Sequence, residues 1–158
     1  MAGGQIAEGI ALLRAGVAEI SATGAVAFLP FAFALLADAE RKAEQHDQAR
    51  GHLDEAERLM AETGDRFAEA ELYRVRGELL RGGDDAGAEH CFSQAIAIAK
   101  QQSAKFWELR SAISLARLWC EQGKRDAARN LLAPVYGWFI EGFDTPVMKE
   151  AKTLLTEL

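Results

Sequence analysis

The chain has few of the residues that mark extracellular, metal-binding or membrane proteins. Its 158 residues include two cysteines, Cys91 and Cys120, and no Cys-x-x-Cys pair, which excludes a zinc ribbon and a thioredoxin-like redox centre. The longest apolar run, from Ala25 to Ala37, contains Pro30 and is shorter than the roughly 20 residues of a membrane-spanning helix. We therefore expect two reduced, buried thiols and, over the apolar run, a helix buried on most of its sides.

Basic residues are in the minority. Eighteen Lys and Arg residues against 24 Asp and Glu residues give a formal net charge of −6. Binders of nucleic acids and of anionic membranes rely on basic patches, so we expect no direct nucleic-acid partner and no membrane partner. The N-terminal sequence Met-Ala-Gly-Gly-Gln lacks the basic region of a secretory signal. The sequence thus predicts a cytoplasmic protein.

Signals for β-strands are also scarce, because Val and Thr are sparse and no alternating run is bounded by a hairpin turn. Ala, Leu, Glu, Arg and Gln dominate, and all of them favour helix. The sequence predicts one all-α domain over residues 1–158. Its expected elements are an unpaired first helix (5–22), three antiparallel helix hairpins at about 27–63, 66–102 and 104–141, and a capping helix (146–157).

The helices repeat at an interval of about 40 residues. Shifts of 40, 39 and 40 residues align three columns: Gly9, Ala49, Ala88 and Ala128; Leu13, Leu53, Phe92 and Leu132; Gly16, Ala56, Ala95 and Val135. Small residues let two helices approach closely, and a large apolar residue fills the gap against the next hairpin. The pattern resembles the tetratricopeptide (TPR) repeat in a longer-helix form, since the usual TPR period is about 34 residues. The resemblance implies a TPR-like α-α superhelix.

A more specific resemblance lies in the segments AELYRVRGELL, AEHCFSQAIAIAKQQSAKFWELRSAISLARLW and LLAPVYGWFIEGFDTP. They resemble the C-terminal region of bacterial multidomain proteins that join a class III adenylate/guanylate cyclase domain, or a winged-helix DNA-binding domain, to a STAND/AAA-type ATPase and a TPR-like tail. The resemblance is strongest over residues 69–158. It implies a non-catalytic protein-interaction or scaffold module or, alternatively, a small-molecule effector-sensing domain.

No pattern in the chain predicts catalysis, a metal ion or a cofactor. A Walker A sequence is absent, so the family's ATPase activity is not carried over. His46 and His52 do not share a helix face, and no histidine lies close in sequence to Ser111 or Ser114. The acidic residues between 55 and 71 are expected on a solvated helix face; they are Glu55, Glu57, Glu62, Glu69 and Glu71.

The aromatic residues of the C-terminal half admit two interpretations. Phe106 and Trp107 form one pair, and Tyr136, Trp138 and Phe139 lie beside Leu131 and Leu132. Their helical spacing favours a place in the core over stacking on a ligand.

In TPR arrays the first helix of each hairpin lines a concave groove. The residues expected to line it here are Arg41, Lys42, Tyr73, Arg81, Arg110, Ile113 and Arg117. Arg and Tyr are common at recognition surfaces. This groove would accept an acidic peptide or a helix of an attached domain; the alternative is that its charges are ordinary solvated ones.

The first helix corresponds to the second helix of a hairpin whose first helix is missing. Its apolar stripe consists of Ile6, Ile10, Leu13, Val17 and Ile20. We expect this stripe to be only partly covered, which predicts either a longer protein upstream or a homo-oligomer formed through residues 5–22.

Overall fold

The computed structural model describes residues 2–158, with side chains from residue 4 onward. This part of the chain forms helices α1 (Ala2–Ala22), α2 (Leu29–Lys42), α3 (His46–Thr63), α4 (Glu69–Leu80), α5 (Asp85–Gln101), α6 (Lys105–Glu121), α7 (Arg125–Gly137) and α8 (Pro146–Glu157). No β-strand occurs within it, so the predicted all-α class is confirmed. Across residues 2–158, none of the helices has the length and apolar character needed to cross a membrane.

Where the sequence suggested one domain, the chain divides into two compact units. We call them the first half, up to Leu79, and the second half, Leu80–Leu158. Each half has its own apolar core. The core of the first half contains Ala34, Ala37, Ala49, Leu53, Ala56, Met60, Ala68, Leu72 and Val75. The largest fully buried apolar residues of the second half are Phe92, Leu109, Leu118 and Leu132.

The repeated small-large-small residues of α3, α5 and α7 lie in these cores. All nine of them are between 0 and 7% exposed. Ala88 and Ala128 are fully buried in the second half, where they pack in one cluster with Phe92 and Leu132. In α3, α5 and α7, the columns that define the sequence repeat are therefore core positions.

The corresponding face of α1 is different. Gly9, Leu13 and Gly16 are partly exposed, and a Cβ built on either glycine meets no atom within 4 Å. Of the five residues in the apolar stripe, Ile10 alone is buried, at 3%. The neighbouring Leu12 is 68% exposed. The stripe of α1 is thus only partly covered within the described chain.

The end of α7 differs from the prediction, which extended the last hairpin to residue 141. The helix stops at Gly137. Pro134 has no backbone N–H to donate, and Gly137 is a poor helix former. The backbone then changes to shorter-range bonds, from the Trp138 N–H to the Val135 carbonyl (3.4 Å) and from the Phe139 N–H to the Tyr136 carbonyl (3.2 Å). Residues 138–145 consequently form an irregular segment between α7 and α8.

Candidate interaction surfaces

A cluster of buried charges lies between α2 and α4 in the first half. Arg74 is 5% exposed and donates from Nε and Nη2 to the two carboxylate oxygens of Glu71, at 2.9 and 2.8 Å. Its Nη2 atom is also 3.4 Å from Oδ1 of Asp38, and its Nη1 atom is 3.7 Å from Oε1 of Glu78. One guanidinium on α4 thus serves three carboxylates, one of which belongs to α2.

Three cations, Arg74, Lys42 and Arg41, keep the Asp38 carboxylate ionised. Burial alone raises its pKa, but Arg74, Lys42 and Arg41 together hold the pKa of Asp38 well below its usual range. For Arg74, burial lowers the pKa, but the hydrogen bonds that it donates to Glu71 and the charges of Glu71, Asp38 and Glu78 together outweigh burial, so that the pKa lies above its usual value. Because a carboxylate with so low a pKa is a weak base, this cluster is suited to joining helices rather than to accepting a proton.

A second buried carboxylate joins three helices. Glu40 of α2 is fully buried, and its Oε1 atom accepts a hydrogen bond from Nη2 of Arg14 in α1, at 2.8 Å. Its Oε2 atom lies 2.6 Å from Nδ1 of His52 in α3. The His52 ring stacks on Phe33, with 5.5 Å between the ring centroids. His52 is therefore an inter-helix packing residue.

The sequence did not predict that these charges are buried. Glu69 and Glu71 were expected on a solvated face but are 8 and 1% exposed, whereas Glu57 and Glu62 do face solvent. The order of polar and apolar residues along one helix does not show whether a polar residue faces water or faces a cation on a neighbouring helix. Among the described side chains, no group of three or more His, Cys, Asp and Glu residues is placed to hold a metal ion.

Two of the expected groove residues in the first half belong to the Asp38 cluster. Arg41 donates to Oδ1 of Asp38 at 3.0 Å, and Nζ of Lys42 is 2.8 Å from Oδ2. Tyr73 lies instead at a pocket of about 140 Å³ between α3 and α4, which Arg66 also lines. The expected groove residues of the first half therefore lie in two different environments, the Asp38 cluster and the pocket beside Tyr73.

The other expected groove residues lie in the second half and fall into three environments. Arg81 pairs with Glu121 at 2.5 Å. Ile113, expected on the groove, is 3% exposed and belongs to the apolar core, so it is not available to a partner. Arg110 and Arg117 lie on α6 with their side chains at least partly exposed.

Arg110 and Arg117 have different neighbours. The guanidinium carbon of Arg110 lies 5.9 Å from the ring centroids of both Phe106 and Trp107, within the range of a cation–π contact. Nη2 of Arg117 is 2.8 Å from Oε1 of Glu150 on α8, and the two side chains are 46 and 36% exposed. Cations and an exposed aromatic ring therefore occupy the solvent-facing side of α6.

Several aromatic residues are more exposed than the sequence predicted. Trp107 is buried, but Phe106 is 46% exposed and Trp138 is 58% exposed, so their expected place in the core is wrong. Helical spacing does not apply to Trp138 because α7 ends one residue before it. The combination of Pro134 and Gly137 was the signal that could have shown this. We use the name α6/α7 patch for the exposed Phe106 of α6 together with the exposed Trp138, Ile140 and Phe143 of the segment after α7. Lys105, next to Phe106 in the sequence, links the two parts, because its Nζ atom lies 5.8 Å from the centroid of the Trp138 ring.

No protein-family model, curated protein or solved structure matches this chain.

Proposed function

We propose that this chain is a non-catalytic protein-interaction module built from TPR-like hairpins, a cytoplasmic scaffold of the kind found at the C-terminal end of bacterial signalling or transcription-regulating ATPases. Support for the TPR-like stacking comes from the buried small-large-small columns of α3, α5 and α7. Support for the type of protein comes from the resemblance of residues 69–158. In this proposal a bound partner, or an attached upstream domain, is held on the exposed face of one helix.

The observation that carries the proposal is the arrangement of arginines on α6. Arg110 and Arg117 are two helical turns apart, which places them on one side of the helix. Arg110 lies over the exposed ring of Phe106. Arg117 pairs with Glu150, and an exposed pair of this kind contributes only about 0–1 kcal/mol, so an incoming carboxylate can replace Glu150 at little cost. The surface therefore suits an acidic peptide.

The proposal is tested with a fluorescein-labelled peptide in which Glu and Asp alternate with Leu and Phe. Substitution of Arg110→Glu together with Arg117→Glu is expected to weaken binding, measured by fluorescence anisotropy, by at least about tenfold. This corresponds to a loss of about 1.4 kcal/mol. Arg129→Glu is the matched control, because Arg129 is an exposed arginine on α7, outside this face.

Circular dichroism of the double variant is expected to match that of the parent chain, because both arginines lie at the surface. Absence of peptide binding to the parent chain, or equal binding by parent and double variant, would contradict the proposal.

A second candidate function, the sensing of a small effector, would use the pocket beside Tyr73. Its volume of about 140 Å³ is below the roughly 300–1,000 Å³ of common ligand sites, so it favours the interaction module over an effector sensor. A thermal-shift screen of metabolites distinguishes the two functions. A saturable shift that Tyr73→Ala abolishes would establish the sensor instead.

A further inference from the structure

The α6/α7 patch is the most exposed apolar surface of the second half. Ile140 is 91% exposed, and Trp138, Phe106 and Phe143 are between 45 and 58% exposed. Three of these four residues, Trp138, Ile140 and Phe143, belong to the irregular segment 138–145. Single exposed apolar residues are common, but several large ones grouped together mark an interaction site.

The contacts of these residues leave much of their surface open to a partner. The Trp138 ring meets Phe139 edge to face, at 5.2 Å between centroids, and Nζ of Lys105 lies 5.8 Å from the Trp138 centroid. Phe143 meets Tyr136 in the same way at 5.8 Å. These contacts restrict the aromatic side chains on one side. Binding of a partner therefore costs less side-chain conformational entropy.

The charges on the α6 side of the patch are mostly positive. Nζ of Lys105 is 2.7 Å from Glu108, and Nζ of Lys100 is 4.0 Å from it. The Glu108 side chain is only 3% exposed, whereas those of Lys105 and Lys100 are 34 and 59% exposed. An approaching partner therefore meets these two lysines and Arg110 before it meets the buried carboxylate.

The irregular segment also carries two exposed acidic residues. Glu141 and Asp144 follow Ile140 in the direction of α8.

We propose that the α6/α7 patch binds an acidic peptide segment that also carries Leu or Phe side chains. The carboxylates of the peptide face Lys100, Lys105 and Arg110, and its apolar side chains cover Trp138 and Ile140. This inference rests on the proposed function and extends it, since it names the apolar part of the site and requires a partner that is both acidic and apolar.

An anionic membrane is the less favoured occupant. The whole chain carries a formal charge of −6, which opposes approach to a negative lipid surface. Three clustered cations suffice for a few carboxylates of a peptide, whereas recognition of anionic lipid typically uses clusters of about 4–8 basic residues.

The test uses the full chain and three fluorescein-labelled peptides. The first is the acidic peptide with Leu and Phe described above, the second has Ser in place of Leu and Phe, and the third has Lys in place of Glu and Asp. The first is expected to bind at least about tenfold more tightly than either of the others. Binding is also expected to shift the tryptophan emission to shorter wavelength, because Trp138 leaves water.

Two substitutions on the patch and one elsewhere complete the design. Trp138→Ala and Ile140→Ser are each expected to weaken binding of the first peptide. The loss of affinity for Trp138→Ala is expected to be roughly thirtyfold, as for a hot-spot residue. Phe28→Ser is the matched control, since Phe28 is 67% exposed in the first half and its sequence neighbours Ala27 and Leu29 are uncharged. All three changes lie at exposed positions, so each variant should fold, which circular dichroism checks.

The outcomes separate the inference from the proposed function. If the double arginine variant loses binding but Trp138→Ala and Ile140→Ser do not, the inference is overturned while the interaction module stands. If Phe28→Ser weakens binding equally, the patch has no special role. A tryptophan shift that depends on protein concentration without peptide would assign the patch to a second copy. Preference for phosphatidylserine vesicles over the peptide would assign it to lipid. Either result overturns the inference.

Discussion

The two halves of the molecule stabilise their helices by different means. The first half buries Asp38, Glu40, Glu71 and Arg74 and connects helices through ion pairs between them and their neighbours. The second half buries the large apolar residues Phe92, Leu109, Leu118 and Leu132, and its buried Glu108 pairs with lysines that reach solvent. Buried ion pairs must first offset the cost of dehydrating the charges, whereas apolar side chains are stabilised by leaving water.

The halves also differ in where they expose apolar surface. In the first half, the exposure is spread over α1, where the stripe is partly covered and Leu12 faces solvent, and over the loops before α2 and α4, which carry Val26, Phe28 and Phe67. In the second half it lies on an irregular segment, in which Ile140 is 91% exposed. An open helical stripe suits another helix, whereas an irregular segment beside cations suits a peptide. The same repeat therefore presents two kinds of surface.

The largest effect is expected from Phe92→Ala, which removes a fully buried ring from the core of the second half. We expect a loss of about 3–5 kcal/mol in the free energy of unfolding, as is typical for large-to-small core changes. All three tryptophans lie beyond Leu80, so urea unfolding followed by tryptophan fluorescence reports on this half. A loss below about 1 kcal/mol would contradict the packing described for Phe92.

A somewhat smaller effect is expected from Arg74→Leu in the first half. Without the guanidinium, Asp38 and Glu71 lose their closest shared cation, and breaking a buried pair costs about 3 kcal/mol. Far-UV circular dichroism follows the helices of both halves, whereas tryptophan fluorescence follows only the second half. Unfolding of the first half is therefore measured as the change in circular dichroism that occurs without a change in tryptophan fluorescence.

Arg117→Leu is the matched control for Arg74→Leu, because it breaks an exposed ion pair and is expected to cost less than about 1 kcal/mol. Equal losses in the two variants would mean that burial of the pair makes no difference to its strength. That result would remove the contrast between the halves.

The smallest effect concerns pH. Because the pKa of Asp38 is lower in the folded chain than in the unfolded chain, the unfolded chain binds the proton more readily, and stability falls as the pH drops below about 3.9. Asp38→Asn is expected to remove that part of the pH dependence from the circular dichroism transition. An unchanged pH profile in this variant would show that the ionisation of Asp38 does not stabilise the fold.

Periodicity predicted the helices because an apolar stripe is a local property of a few helical turns. The spacing of Ala88, Phe92 and Ala95 identified both a helix and its buried face. The end of α7 was predicted at residue 141 instead of Gly137, because the helical spacing of the aromatic residues was extended past Gly137. The role of Glu71 was missed because its partners depend on which helices become neighbours.

The candidate site was predictable in part. Arg110 and Arg117 were expected to line a concave groove, which stays a prediction; both side chains are at least partly exposed on α6. Ile113 was expected beside them but faces the core. The apolar part of the α6/α7 patch was not predicted, because Phe106 and Trp138 carry side chains that sequence patterns assign to a core.

The amino-acid sequence by itself determined the helical class, the repeat of about 40 residues and the small residues at the helix contacts, since each follows from interactions within a few turns or from a pattern along the chain. Only the tertiary structure decided that Asp38 and Glu40 are buried and that Trp138 is exposed. Whether a polar or aromatic side chain meets water depends on the helices that surround it, and those neighbours come from distant parts of the chain.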